Sequence, residues 1–147
     1  MTNWVLKKFD ELTPHELYAI LQLRNEVFVV EQNCVFQDAD DKDQHCWHYM
    51  GWRDNYLAAY IRIVPPGVAY EYPSIGRVVS SPKARGSGIG RELMANGITV
   101  THQLFGEGPI KIGAQLYLKK FYELLGFEQV GEIYDEDGID HIYMIRP

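Results

Sequence analysis

Between Lys83 and Arg91 the chain reads Lys-Ala-Arg-Gly-Ser-Gly-Ile-Gly-Arg, three glycines alternating with other residues in a basic setting. Glycines let successive backbone N–H groups point into one concavity, and a helix starting there adds its own unsatisfied N–H groups and the positive end of its dipole. The chemistry such a turn does best is to hold a phosphate or pyrophosphate, with Lys83, Arg85 and Arg91 neutralising charge at the rim. The spacing excludes two common phosphate loops. No Lys-Ser or Lys-Thr pair follows, as a P-loop requires, and Gly86, Gly88 and Gly90 are spaced G-x-G-x-G where a dinucleotide fingerprint needs G-x-G-x-x-G.

Other residues with chemical potential are clustered between Cys34 and His48. Asp38, Asp40, Asp41 and Asp43 suggest calcium, but the Gly and terminal Glu of an EF-hand loop are missing. His45, Cys46 and His48 suggest zinc, but a full ligand set at standard spacing is absent. We therefore expect no metal and read Gln37 to Gln44 as a solvated acidic loop. Cys34 lacks a Cys–His–Asp arrangement for nucleophilic catalysis, and two cysteines are too few for a disulfide scaffold, so both are read as thiols.

The elements that would position the glycine turn can be read from periodicity and punctuation. Trp4–Phe9 reads as a strand. Thr13-Pro14-His15-Glu16 opens a helix, with Thr13 as cap, Pro14 in the first turn and Glu16 closing a capping box. Apolar residues from Leu17 to Phe28 carry that helix to about Val30. Strands are predicted at Cys46–Trp52, Leu57–Val64 and Ile75–Ser80, the middle one stopped by Pro65-Pro66-Gly67. A helix begins near Gly88, with Ile89, Leu93, Gly97, Val100 and Leu104 on one face. Ile110–Ala114 is a strand, Tyr117–Leu125 a helix closed by Gly126, and Glu128–Ile133 and Ile139–Ile145 are late strands. The order β-α-β-β-β-α-β-α-β-β implies a mixed α/β (α+β) fold, mostly antiparallel in its first half.

At 147 residues the chain fits one domain, 1–147, and a domain this size buries roughly 68–70% of the surface of its unfolded chain. No apolar run approaches the ~20 residues that span a bilayer, and the N-terminus lacks a signal layout, so the expectation is a cytoplasmic protein without a membrane partner. A formal charge of −6 argues against nucleic acid, whose phosphates need a basic surface. It suits a cationic, amine-bearing substrate.

Val78-Val79-Ser80-Ser81-Pro82-x-x-Arg85-Gly86-x-Gly88-Ile89-Gly90 resembles the acetyl-CoA motif of the GNAT superfamily of N-acetyltransferases. Phe121-Tyr122-Glu123-Leu124-Leu125-Gly126-Phe127 is similar to that superfamily's F-Y-x-x-x-G-F segment. Leu23-Arg24-x-x-Val27-Phe28-Val29-Val30-Glu31-Gln32-x-Cys34, Gly76-Arg77-Val78-Val79, Ala114-Gln115 and Asp137-Gly138-Ile139-x-His141 resemble the ElaA-like branch. Trp47 departs from that pattern where a second His is expected beside His48, and Gly113 departs where Ser precedes Ala-Gln.

The resemblance implies a GNAT-like, mostly antiparallel central sheet flanked by helices, with strands splayed around acetyl-CoA. It implies that Val78, Val79 and Ser80 offer backbone groups to the pantetheine arm. Arg85, Gly86, Ser87, Gly88, Ile89, Gly90 and Arg91 would take the pyrophosphate, and Gln115 would contact the cofactor from the opposite wall. Tyr122 would protonate the departing thiolate. Glu31, His48 and His141 stand as candidate bases for the acceptor amine. The implied activity is direct transfer of acetyl to an amine of a small molecule or peptide. Two other readings are a non-catalytic acyl-CoA-binding sensor and an acyl-homoserine-lactone-synthase-like acyltransferase. Exposed strand edges in such folds suggest a homodimer.

Overall fold

The structure is a computed structural model covering residues 1–147. Seven strands form two antiparallel sheets. One holds β1 (Asn3–Lys8), β2 (Trp47–Arg53), β3 (Tyr56–Val64) and β4 (Ser74–Ser80) in that spatial order. The other holds β5 (Ile110–Gln115), β7 (Ile139–Arg146) and β6 (Glu128–Glu136), with β7 in the middle.

Helix α1 (Pro14–Arg24) begins as the capping box predicts. Thr13 Oγ1 accepts from the Glu16 backbone N–H at 3.1 Å, and the Glu16 carboxylate accepts from the Thr13 N–H at 2.8 Å. The predicted helical run to Val30 is continuous but changes pitch. From Asn25 to Glu31 the turns are π-helical, a rare geometry that is frequent at functional sites. Helix α2 (Ile89–Phe105) and the five-residue α3 (Lys119–Glu123) follow β4 and β5. The predicted helix from Tyr117 to Leu125 is shorter because Leu116–Leu118 forms a separate 3-10 turn.

The two faces of the first sheet bury different clusters. Ile20 and Leu23 of α1 and Val27 of the π-helical stretch pack on Met50, Leu57, Tyr60 and Val79. Ile89, Leu93, Met94 and Ile98 of α2 pack with Ile61, Ile63, Ile112 and Phe127 on the other face and across both sheets. Fully burying one such side chain is worth about 1.5–3 kcal/mol, so these clusters fix α1 and α2 on opposite sides of β4.

The acidic loop departs from expectation. Asp38 and Asp43 are buried, not solvated, and lie against Arg24 of α1 and Arg62 of β3, which are 0% and 4% exposed. Arg24 donates to Asp38 (2.7 Å) and Asp43 (2.8 Å); Arg62 donates to Asp40 (2.8 Å) and Asp43 (2.9 Å). Arg77 of β4 pairs with Asp38 at 2.8 Å. Carboxylates cannot stay charged in a dry interior without partners, so the aspartates were placed by arginines distant in sequence.

Candidate active site

The site is built on a gap between β4 and β5. The two strands touch at their beginnings, where the Lys111 N–H donates to the Pro73 carbonyl at 3.0 Å, but form no ladder beyond it. Part of the cause lies in β4. Its register against β3 passes from Tyr60↔Val79 to Arg62↔Gly76, so Arg77 and Val78 together oppose Ile61. This β-bulge bends the strand, and Arg77 sits at φ +51°, a conformation costly for a residue with a Cβ. Its ion pair with Asp38 ties the bulge to the acidic loop. The expected splay after Ile75–Ser80 and Ile110–Ala114 is therefore present.

The gap opens into a cleft of about 540 Å3. Of the residues singled out in the sequence, Val78, Val79, Ser80, Arg85, Gln115, Tyr122, Glu31 and His141 line it. His48 does not. Its ring is fully buried, with Nε2–H donating to the Asp43 carbonyl at 2.9 Å and Nδ1 accepting from the Tyr60 hydroxyl at 2.6 Å. Burial lowers its pKa, keeping it a neutral structural link between β2, β3 and the acidic loop. His48 is thus no candidate base.

Gly86, Ser87, Gly88, Ile89, Gly90 and Arg91 form the turn and first residues of α2, beside the cleft lining. Gly86 and Gly88 both have φ +81°, where only glycine sits without strain. Gly88 caps α2 with no side-chain hydrogen bond, and a Cβ at 86, 88 or 90 would meet nothing within 4 Å. The helix therefore presents uncapped N–H groups to open space, which fits a pyrophosphate. Ser87 Oγ donates to the Ala84 carbonyl at 2.6 Å and accepts from Arg53 at 3.1 Å, so it braces the turn. The Ile89 side chain is buried in the core, leaving only its backbone to face a ligand. Arg91 is exposed.

Two of the lining side chains meet partners that spacing did not reveal. Arg85 donates both guanidinium arms to Glu31 at 2.6 Å, joining the end of the π-helical segment to the glycine turn. The Arg85 hydrogen bonds hold the Glu31 carboxyl below the usual carboxylate range, making it a weak base. Gln115 exchanges amide hydrogen bonds with Gln32, at 3.2 and 3.4 Å. Gln32 belongs to the stretch that resembles the ElaA-like branch, but its pairing with Gln115, 83 residues away, is set by the fold alone. Arg53, which braces Ser87 at 3.1 Å, carries no spacing signal, being a lone arginine at a strand end.

His141 and Tyr122 face the cleft from β7 and α3. His141 Nδ1 lies 2.8 Å from the Ile139 carbonyl and Nε2 lies 3.4 Å from the Glu136 carboxylate, so both ring nitrogens face acceptors. Tyr122 is 5% exposed, packed edge-on against Phe121 and Phe127. Burial, with the neighbouring Tyr117 adding to it, pushes its phenol pKa upward, so it stays protonated at neutral pH. Its hydroxyl has no hydrogen-bond partner in the protein and borders the cleft.

The description "Acetyltransferase (GNAT) domain" matches residues 11–146. The chain is 44% identical to protein ElaA of Escherichia coli strain K12, over 99% of this chain and 97% of that one. The crystal structure of E. coli ElaA superposes with a TM-score of 0.93 over 100% of both chains. That of an acyl-CoA N-acyltransferase from Pseudomonas aeruginosa, 44% identical, does so with a TM-score of 0.96 over 100% of both. The acyl-homoserine-lactone synthase LasI is similar in fold alone, with a TM-score of 0.80 at 12% identity over 99% of this chain and 91% of that one. A bulged β4 splayed from β5, a glycine turn at an uncapped helix and this breadth of likeness together mean that the chain belongs to the GNAT acetyltransferase family, in its ElaA-like branch.

Proposed function

We propose that this protein is a cytoplasmic, single-domain N-acetyltransferase that moves the acetyl group of acetyl-CoA to an amine by direct attack in a ternary complex. The observation that carries the reading is the Tyr122 phenol, kept protonated by burial and lining the same cleft as Arg85, which leads into the glycine turn. A protein that only sensed acyl-CoA would have no use for a proton donor held in that cleft by a packed aromatic ring.

Acetyl-CoA supplies an activated thioester. The unpaired edge of β4 at Val78, Val79 and Ser80 offers backbone groups to its pantetheine arm, and Gln115 faces it from β5. The N–H groups of Gly86–Gly90 and the cations Arg85 and Arg91 hold the pyrophosphate. An aliphatic amine arrives protonated, with a pKa of about 10.4 if it resembles Lys. His141 Nε2 takes that proton, directly or through water. The freed nitrogen then forms the C–N bond, the C–S bond breaks, Tyr122 delivers its proton to the departing sulfur, and the new amide nitrogen sheds its surplus proton to water. Proton exchange with solvent restores both side chains.

Thiol release from acetyl-CoA in the presence of mixed primary amines tests the reading. Amine-dependent release that yields an acetylated amine is expected. Acetyl-CoA binding without turnover of any amine would leave a sensor.

A further inference from the structure

We infer that residues 28–33 form a strap fastened across the cofactor cleft, one that acetyl-CoA unfastens by engaging both walls at once. The inference rests on the acetyltransferase reading above and concerns how access to the same cleft is controlled.

Two side chains assigned to the cofactor stand on different walls, Arg85 at the start of the glycine turn and Gln115 at the end of β5. Each is already engaged, and by neighbours in the sequence. Glu31 accepts both guanidinium arms of Arg85 at 2.6 Å, and Gln32 exchanges amide hydrogen bonds with Gln115 at 3.2 and 3.4 Å. One short stretch of backbone therefore ties the glycine turn to β5.

The stretch is built to move as a unit. Its anchors are Val27, buried in the α1 cluster, and Cys34, also buried, whose Sγ donates to the Asp137 carbonyl at 3.2 Å. Between them Val30 is 73% exposed, so little apolar burial holds the middle in place. The backbone closes through long-range turns, with the Gln32 N–H donating to the Val27 carbonyl and the Cys34 N–H to the Val29 carbonyl, both at 3.1 Å. Asn33 then turns the chain at φ +50°, a region sparsely used by residues with a Cβ. Few buried apolar contacts and exposed backbone bonds are the marks of a segment that opens at low cost.

The cofactor's chemistry matches both ties. A pyrophosphate and the Glu31 carboxylate compete for the same guanidinium fork, which suits either anion. The amides of a pantetheine arm compete with Gln32 for the Gln115 carboxamide. Because Glu31 and Gln32 are consecutive, loss of one tie loosens the other. A ligand carrying both groups offsets both ties, whereas a bare pyrophosphate or a bare pantetheine must open the same strap with half the contacts. The strap thus favours the intact cofactor over its fragments and over other nucleotides.

The test uses calorimetry on the wild type, Glu31→Gln and Gln32→Ala with acetyl-CoA, ADP as the pyrophosphate alone, and S-acetylpantetheine as the arm alone. A strap that moves as one unit gives crossed effects. Glu31→Gln should tighten acetylpantetheine, although Glu31 ties only Arg85, and Gln32→Ala should tighten ADP, although Gln32 ties only Gln115. Each gain should reach up to about fivefold at low salt, the usual worth of one exposed ion pair. An affinity that rises only for the fragment on the altered side would mean two independent contacts and overturns the strap, as does no change in either. Hydrogen exchange supplies a second readout. The Gln32 and Cys34 amides should exchange faster in the wild type with acetyl-CoA than without it, and fast in both conditions in the double variant Glu31→Gln, Gln32→Ala. Slower or unchanged exchange on binding overturns the proposal. Acetyl-CoA binding with uncrossed effects refutes the strap alone, whereas no acetyl-CoA binding to the wild type refutes the cofactor reading with it.

Discussion

A phenol buried among Phe121, Phe127 and Tyr117 could be mere packing, and its hydroxyl decides between packing and chemistry. Tyr122→Phe keeps the ring and its edge-on contacts and removes only the proton donor. Cofactor affinity and thermal stability should hold, while turnover falls by about 10²–10⁴, the usual worth of a positioned general acid. The loss should shrink with an acyl donor whose thiol leaves at low pKa; near-normal turnover in a chemistry-limited assay would reduce Tyr122 to packing. Glu31 calls for a different expectation. Its bidentate pair with Arg85 lowers its pKa and occupies the cation that we propose for the pyrophosphate. Glu31→Gln should therefore leave kcat within a few-fold and tighten acetyl-CoA by up to about fivefold at low salt, since an exposed pair is worth about 1 kcal/mol at most. Isothermal calorimetry reads the affinity, and a collapse of kcat with unchanged affinity would make Glu31 the base. Tyr122 and Arg85 were legible because each sits in a local motif. The partner of Arg85 was not, because Glu31 lies 54 residues away and only the fold brings it near.

At the scale of elements, local rules performed best where backbone geometry is decided locally. The Thr13–Glu16 cap and the glycine turn concern groups within a few residues of one another, and both stand where punctuation put them, whereas the last helix ends at Glu123, before the expected stop at Gly126. The π-helical stretch, the β4 bulge and the buried aspartates depend on packing between elements, which no periodicity encodes. The acidic loop shows the reason plainly. Four aspartates within six residues read as a solvated face until Arg24, Arg62 and Arg77 converge on them from three elements. The glycine turn allows a test that separates backbone strain from ligand charge. At φ +81°, Gly88→Ala should cost about 1 kcal/mol of stability and still bind acetyl-CoA, because a methyl there points into open space. Gly88→Asp pays the same strain and puts a carboxylate at the helix terminus. It should lose the acetyl-CoA stabilisation, about 2.7 kcal/mol at 100 times the dissociation constant in the wild type. Thermal melts with and without acetyl-CoA distinguish the two, and equal ligand shifts in both variants would remove the turn from the binding site.

Across the whole molecule, the cleft depends on a charge-balanced core outside it. Arg24, Arg62 and Arg77 against Asp38, Asp40 and Asp43 link α1, β3 and the β4 bulge to one loop. Asp43 lies at the centre, accepting from Arg24 and Arg62 while its carbonyl accepts from His48. Burial alone would raise its pKa, but the hydrogen bonds and charges of Arg24 and Arg62 outweigh that and hold it below the ordinary value. Asp40 is lowered by Arg62 and Arg77 in the same way, against the opposing effect of burial. A carboxylate with a depressed folded pKa contributes stability that is fully present above its unfolded pKa of about 3.9 and is lost as pH falls through the folded value. Asp43→Asn keeps the shape but leaves two buried guanidinium groups short of a charge, a change worth about 3–5 kcal/mol at neutral pH. The deficit should narrow as pH drops below about 4, because the unfolded wild type then takes up a proton that folded Asp43 still resists. Urea unfolding of both proteins from pH 7 to pH 3 measures it. A gap that stays constant across that range would mean that Asp43 acts through shape and hydrogen bonding alone. A gap that closes would tie the splay of β4 to electrostatics, and acetyl-CoA affinity should then weaken in the variant as the Arg77 bulge loosens.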